Sequence, residues 1–249
     1  MRTKVLENFL KVKTRNDFEN NTHISLKNRY VFIQVSKAAS SSVKWALQSL
    51  EFLNTPWKVM DVNNKFYAPH ISPYQVSEES LEEIFNSDSF KKVAFVRNPY
   101  TRLLSCYLHR IIGNPRSASN KALMFATGGK GGPDISFNEF VEVVCSQPSI
   151  EQESHWRCQH DDIGANNYNY DFVGKVENLD DDINELASSL YGEVGTNWIR
   201  KNSKKNASPM TTKSSEKLSI YYSDEHIKGL VKKRFEKDFL NFGYSYEIF

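Results

Sequence analysis

The sequence predicts an α/β fold, a central parallel sheet flanked by helices. Two observations carry this. A strand–loop–helix grammar occurs three times, starting near residues 30, 91 and 171, and repeated units of that kind pack helices against a parallel sheet. The 249 residues are 39% hydrophobic and 25% charged, a composition that closes a core without a disulfide or metal staple. With no internal repeat of solenoid length, 1–249 reads as a single domain.

Residues 1–28 are polar and mixed, and read as an N-terminal extension with a short helix and a loop. Tyr30, Val31, Phe32, Ile33 and Val35 form a β-branched and aromatic run, the pattern of a buried strand. Small residues follow from Ser36 to Ser42, and then Val43, Ala46, Leu47 and Leu50 fall on one helix face. The second unit begins with the strand Lys91–Val96. Pro99 suits the first helical position, and Tyr100, Leu103, Leu104, Tyr107, Leu108 and Ile111 make the apolar stripe. The third runs from Asp171–Val176 into a helix whose acidic start, Asp180–Asp182, complements the macrodipole. The Gly-rich stretch 113–133 and the Lys/Ser/Asn-rich stretch 200–217 read as mobile loops, and 224–242 returns to helix.

The turn between the first strand and helix is suited to anions. Backbone N–H groups converge there, the helix N-terminus adds partial positive charge, and Lys37 with Ser40, Ser41 and Ser42 adds a mobile charge and hydroxyls. The pattern G-x-x-x-x-G-K-[ST] is absent, and an ordinary Ser-rich turn has the same composition. A second candidate pairs Arg97, at a strand end, with Ser105 two helical turns later. A guanidinium fork suits phosphate; an ion pair and a backbone-bonded serine are the plainer readings of the two.

Taken in order, these segments resemble the sulfotransferase superfamily, and most of all the Golgi carbohydrate sulfotransferases of the chondroitin and dermatan type. YVFIQVSKAASSSVKWAL (30–47) is similar to the family's 5′-phosphosulfate loop, and KKVAFVRNPYTRLLSCYLHR (91–110) to its 3′-phosphate segment. ESHWRCQ (153–159) resembles its His-Trp element, YDFVGKVENLDDDINELASSL (170–190) the following strand and acidic helix, and KGLVKKRFEKDFLNFGY (228–244) its C-terminal signature. Ser36 and Cys158 stand where many members carry proline.

The resemblance implies the P-loop-like sulfotransferase fold, 3′-phosphoadenosine 5′-phosphosulfate (PAPS) as donor with PAP as product, no metal, and a carbohydrate hydroxyl or amine as acceptor. Lys37 would neutralise the leaving phosphate oxygen. Ala38, Ala39, Ser40, Ser41 and Ser42 would hold the 5′-phosphate, and Arg97 and Ser105 the 3′-phosphate. Arg200 and Lys201, with Lys204, would reach the nucleotide from the 200–217 loop, and Trp156 and the glycines at 128–132 would border a sugar cleft. For the general base, His70 is the first candidate and His155 the second, the alternatives being a loop histidine and an orienting or packing one. His109 lies off the apolar stripe and reads as solvated. Glu177 and Lys175 could reach the site or form an ion pair. His155, Cys158 and His160 lack the fourth ligand and the Cys-x-x-Cys pair of a structural zinc site. A non-catalytic nucleotide- or glycan-binding module and a P-loop-like small-molecule kinase are the competing functions.

Net charge is +2, which speaks against a dedicated nucleic-acid binder. Three cysteines give no disulfide framework, no long apolar run is present, and the first residues are too polar for a signal peptide. The expectation is a cytoplasmic protein with no membrane span.

Overall fold

All three expected strands form, and a fourth joins them. The computed structural model describes residues 3–202 and 212–248. Its sheet contains β1 (Thr22–Ser25), β2 (Tyr30–Ile33), β3 (Lys91–Val96) and β4 (Phe172–Lys175), in the order β1-β2-β3-β4. β2, β3 and β4 are parallel, with Tyr30 opposite Lys91 and Val93 opposite Phe172. β1 is antiparallel to β2, so the expected parallel sheet is a mixed one. The tight Ser25-to-Tyr30 connection allows only the antiparallel arrangement, because a parallel pair needs a crossover.

Side-chain alternation divides the core. Tyr30, Phe32, Val93 and Phe95 face α3 (Ser40–Glu51) and the first half of a long helix, Leu179–Asn202, which breaks at Gly192. Val31, Ile33, Ala94 and Val96 face the opposite layer, with Val5, Phe9, Phe18, Leu81 and Phe85. A third cluster joins Tyr100, Leu104, Phe140, Trp156, Val231 and Phe239 beside the sheet. At Gly174 on β4 any Cβ would run into the Phe95 ring, so the strand needs a bare backbone there.

Two sequence expectations are corrected. The 1–28 segment is no extension. It forms helices α1 (Lys4–Leu10) and α2 (Arg15–Asn21), each capped by a threonine, and then β1. Phe9 stacks on Phe18 with centroids 4.6 Å apart. Few apolar residues were needed, because Val5, Phe9 and Phe18 all land on one buried face. The stretch 113–133 contains the helix Ala118–Thr127, N-capped by Ser117 and stopped by Gly128 at φ 70°. Of the 200–217 stretch, 200–202 is helical and 203–211 lies outside the described residues.

If the N-terminal helices are core, Phe9→Ala should cost about 3–5 kcal/mol, read as a lowered denaturant midpoint with unchanged slope. A loss under 0.5 kcal/mol, the range of a surface substitution, would show that the segment is not part of the fold.

Candidate functional site

A cleft of about 1350 Å³ opens where β2 and β3 end. Strand ends in an open α/β sheet are where backbone N–H groups and helix N-termini converge on a ligand. Ser36, Lys37, Ala39, Ser40, Ser41 and Ser42 line it from the first loop, and Arg97, Ser105, His109 and Arg110 from the second unit. It exceeds the roughly 300–1,000 Å³ of a typical single-ligand pocket.

The first loop has a strained backbone. Lys37 and Ala39 both adopt left-handed conformations, φ 66° and 51°, at about 1–2 kcal/mol each for residues with a Cβ. Neighbours enforce this. Ala38, 1% exposed, is packed into the sheet core, and its N–H donates to the Val35 carbonyl at 3.3 Å. Ala38 therefore shapes the loop without lining the cleft, unlike the phosphate-holding role expected of it. α3 then begins at Ser40 with Ala39 as an N-cap that offers no side-chain acceptor. The first N–H groups of a helix have no intrahelical partner, and here they belong to residues on the cleft wall.

Lys37 Nζ donates to His109 Nδ1 at 3.0 Å. Burial, helped by the charges of Arg97, Arg110 and Arg102, outweighs the attraction of Cys106 and lowers the Lys37 ammonium to about 8. Burial and the Lys37 charge lower His109, which favours the neutral ring that can accept this bond. His109 was expected in solvent. It sits instead on a π-helical turn, Tyr107–Ile112, that continues the helix Pro99–Cys106, and such bulges are frequent at functional sites. Its spacing from Ser105, i to i+4, was the signal that could have found it.

Arg97 is held at both ends. Its main chain exchanges two hydrogen bonds with the Gln159 amide, at 2.9 and 2.8 Å, and Gln159 is held in turn by Asp238. Its guanidinium donates to Thr101 Oγ1 at 3.1 Å, to the Lys37 carbonyl at 3.4 Å and to Ser214 Oγ at 2.8 Å. Ser105 is buried, with the Thr212 hydroxyl donating to it at 3.3 Å. The structure thus brings Lys37, Arg97 and Ser105 around one cleft, with two hydroxyl residues of the 212–216 segment closing over them. Glu177 accepts from the Asn98 N–H and the Tyr244 hydroxyl, and the Lys175 ammonium lies over the Tyr244 ring.

The histidine candidates part company. His155 lines the cleft, with Nδ1 2.8 Å from Glu153 Oε1. Burial raises the Glu153 carboxyl, but the hydrogen bonds and charge of His155 outweigh it and hold the group ionised. Such a pair orients the ring through Nδ1. His70 does not line the cleft. It is 7% exposed, its Nε2 lies 2.7 Å from the Tyr30 hydroxyl, and burial lowers it to about 4. The bridge between Ile24 and Ile71 carries it behind the sheet edge, which corrects its placement as first candidate. Arg200 lines the cleft, while Lys201 is exposed and does not; a helical step of 100° separates them. Lys204 lies outside the described residues. Trp156, expected at a sugar cleft, is 1% exposed and donates to Gln147.

Sequence reasoning also missed Arg102. Its guanidinium is 2% exposed and donates to three carbonyls: Ser36 at 2.9 Å, Arg157 at 2.7 Å and Ser154 at 3.1 Å. Position five after Arg97 was legible, but carbonyl partners leave no mark in a sequence.

Comparison with known proteins bears on this geometry. The profile of the Sulfotransferase family matches residues 20–245. The chain is 23% identical over 234 residues to carbohydrate sulfotransferase 8 of Mus musculus, covering 88% of this chain and 55% of the relative. It is 26% identical over 180 residues to carbohydrate sulfotransferase 9 of Homo sapiens, covering 65% and 39%. To carbohydrate sulfotransferase 11 of Rattus norvegicus it is 27% identical over 193 residues, covering 68% and 51%. The chain thus spans about half the length of these relatives. They overturn the cytoplasmic expectation, which rested on setting the chain apart from the Golgi carbohydrate sulfotransferases, because carbohydrate sulfotransferases are what it matches. Among the described residues no helix is long and apolar enough to cross a membrane. The cysteine count misled, since three buried or half-buried thiols are compatible with either compartment.

Anion binding in the cleft should weaken as pH rises through about 8, where Lys37 loses its proton. The dissociation constant of PAP, measured by calorimetry, should climb toward tenfold per pH unit above that point, and Lys37→Ala should flatten the profile. A flat wild-type profile from pH 7 to 9 would remove Lys37 from the anion seat.

Proposed function

The chain belongs to the sulfotransferase family, and from that premise we propose that it moves a sulfuryl group from PAPS to a hydroxyl of a carbohydrate acceptor. One observation supports this above the others: a single cleft offers two anion seats, the Lys37 loop with the free N-terminus of α3, and Arg97 with Ser105. PAPS carries anionic groups at both its 5′ and 3′ positions, and the two seats match that need.

Lys37 and the N–H groups of Ser40 and Ser41 hold the 5′ end. Arg97 and Ser105 hold the 3′-phosphate, exchanging their present Ser214 and Thr212 contacts for phosphate oxygens. Trp45, Ile183 and Ile199 supply an apolar wall for the base, and Trp45 is braced by Trp198 with centroids 5.2 Å apart. His155 Nε2 takes the proton of the acceptor hydroxyl, whose oxygen forms the new bond to sulfur. The sulfur–oxygen bond to phosphate breaks, and Lys37 neutralises the electron pair left on that oxygen. Catalysis is mainly positioning and electrostatics, as in phosphoryl transfer.

Labelled PAPS offered with a panel of glycans should yield labelled glycan. Label retained on the donor across the panel, with PAP bound, would make the chain a binding module, and magnesium-dependent turnover of ATP would make it a kinase. Lys37→Ala should lower kcat on the order of 10²–10³-fold, and His155→Ala on the order of 10²–10⁴-fold. Glu153→Gln should lower kcat while leaving PAP affinity within about twofold. Unchanged kcat in the Glu153 variant would remove the orienting role.

A further inference from the structure

A smaller cavity of about 200 Å³ adjoins the cleft, and Asn20, Gln34 and Asn63 belong to the walls of both. Its remaining lining includes His23, Lys44, Gln48, Lys65 and Ala68. No residue assigned above to the donor contributes to it.

The charge in this cavity is only partly compensated. Lys44 sits on α3 and is 6% exposed; its ammonium donates to Asn63 Oδ1 at 2.8 Å. Lys65 donates to the Glu19 carbonyl and to Ser72 Oγ at 2.6 Å. Among the described residues neither has a carboxylate within ion-pair distance. Glu19 instead accepts from the Tyr74 N–H and faces Arg15, and Asp61 accepts from the Asn63 N–H. An ammonium carries three donors, so one neutral acceptor on Lys44 and two on Lys65 leave donors over. Burial, then repulsion from Lys65, outweighs the attraction of Asp61 and lowers Lys44 to about 8. Holding two ammonium groups together in a half-dry cavity costs stability, and an anion entering it would relieve that cost.

Exposed aromatic residues flank these lining residues in the sequence. Phe66 is 87% exposed and Tyr67 44%, and they lie in sequence between the lining residues Lys65 and Ala68. The two rings meet edge to face at 5.2 Å, and Trp57 and Tyr74, 70% and 66% exposed, stand in the flanking segments. Aromatic bodies with polar tips are the surfaces on which partly apolar, partly wet ligands rest.

We propose that this side cavity is an acceptor subsite for an anionic substituent, a carboxylate or a sulfate, on a sugar neighbouring the one that is modified, with Lys44 and Lys65 as its charge pair and Phe66 and Tyr67 as the platform for the chain. The identification of the ligand as a glycan rests on the sulfotransferase reading. The occupancy of the cavity by an anion rests on the two lysines.

The test uses three forms of one oligosaccharide: carboxylated, carboxyl-reduced and neutral, and carboxyl-reduced but O-sulfated. Binding to the wild-type protein is measured by calorimetry without donor, and PAP binding on the same sample. At least one anionic form should bind tenfold or more tighter than the neutral form, and which one does identifies the substituent. Equal affinity for all three would overturn the proposal. Lys44→Gln with Lys65→Gln should reduce the preference below threefold, and Lys44→Arg should retain it, with thermal unfolding as the check on folding. A preference that survives the double Gln substitution would place the anion elsewhere and overturn the proposal. Absence of PAP binding and of sulfuryl transfer, with the anion preference intact, would remove the donor reading and leave the subsite standing.

Discussion

One buried guanidinium holds the site together. Arg102 donates to the carbonyls of Ser36, Ser154 and Arg157, so the strand end that precedes Lys37 and the segment that carries His155 are fastened to one point. Without it the Ser36 and Arg157 carbonyls would be buried acceptors without a partner, at about 1–3 kcal/mol each. The left-handed conformations of Lys37 and Ala39 persist on this support. A charge-assisted bond to a carbonyl is directional, so the clamp fixes the orientation of the loop as well as its distance from His155.

Around that clamp the two main cations of the cleft, Lys37 and Arg97, are hydrogen-bonded to neutral groups, although Asp17, Asp180 and Glu216 also line the walls. Lys37 is met by a neutral imidazole, and Arg97 by hydroxyls and a carbonyl. Neutral partners satisfy the donors while leaving the charge exposed to a ligand. A buried carboxylate braces them from behind. Asp238 binds the N–H groups of Gln159 and His160, and Gln159 fixes the Arg97 backbone. Acidic groups thus position the cations through intermediaries without cancelling them.

The same logic ties the N-terminal helices to the site. Asp162, fully buried, pairs with Lys13 at 3.1 Å and with Arg157 at 3.0 Å, and Arg157 reaches Asp17. The Arg157 carbonyl also accepts a hydrogen bond from the Arg102 guanidinium. Breaking a buried pair strands a charge at about 3–5 kcal/mol, so a segment that looks peripheral in sequence is bound energetically to the cleft.

How much of this could be read from the chain follows from which interactions are local. Strand, turn and helix signals lie within a few residues of each other, so β2, β3, β4 and their helices were legible, as was the likeness of the loop at 36–42 and the Arg97 segment to a sulfotransferase. Ser105 followed because its distance from Arg97 is set by helical pitch. His70 was misjudged because its burial against Tyr30 depends on the pairing of residues 24 and 71, and β1 was missed because an edge strand of four residues carries little pattern. His109 meeting Lys37 spans 72 positions, and Arg102 meeting Arg157 spans 55. The sequence by itself determined the three parallel strands, their order and the loops that follow the first two, because periodicity and turn chemistry are short-range. Only the tertiary structure decided which histidine faces the cleft, what holds Arg97 and Lys37 in place, and that a second basic cavity adjoins them, because those depend on contacts between segments distant in the chain.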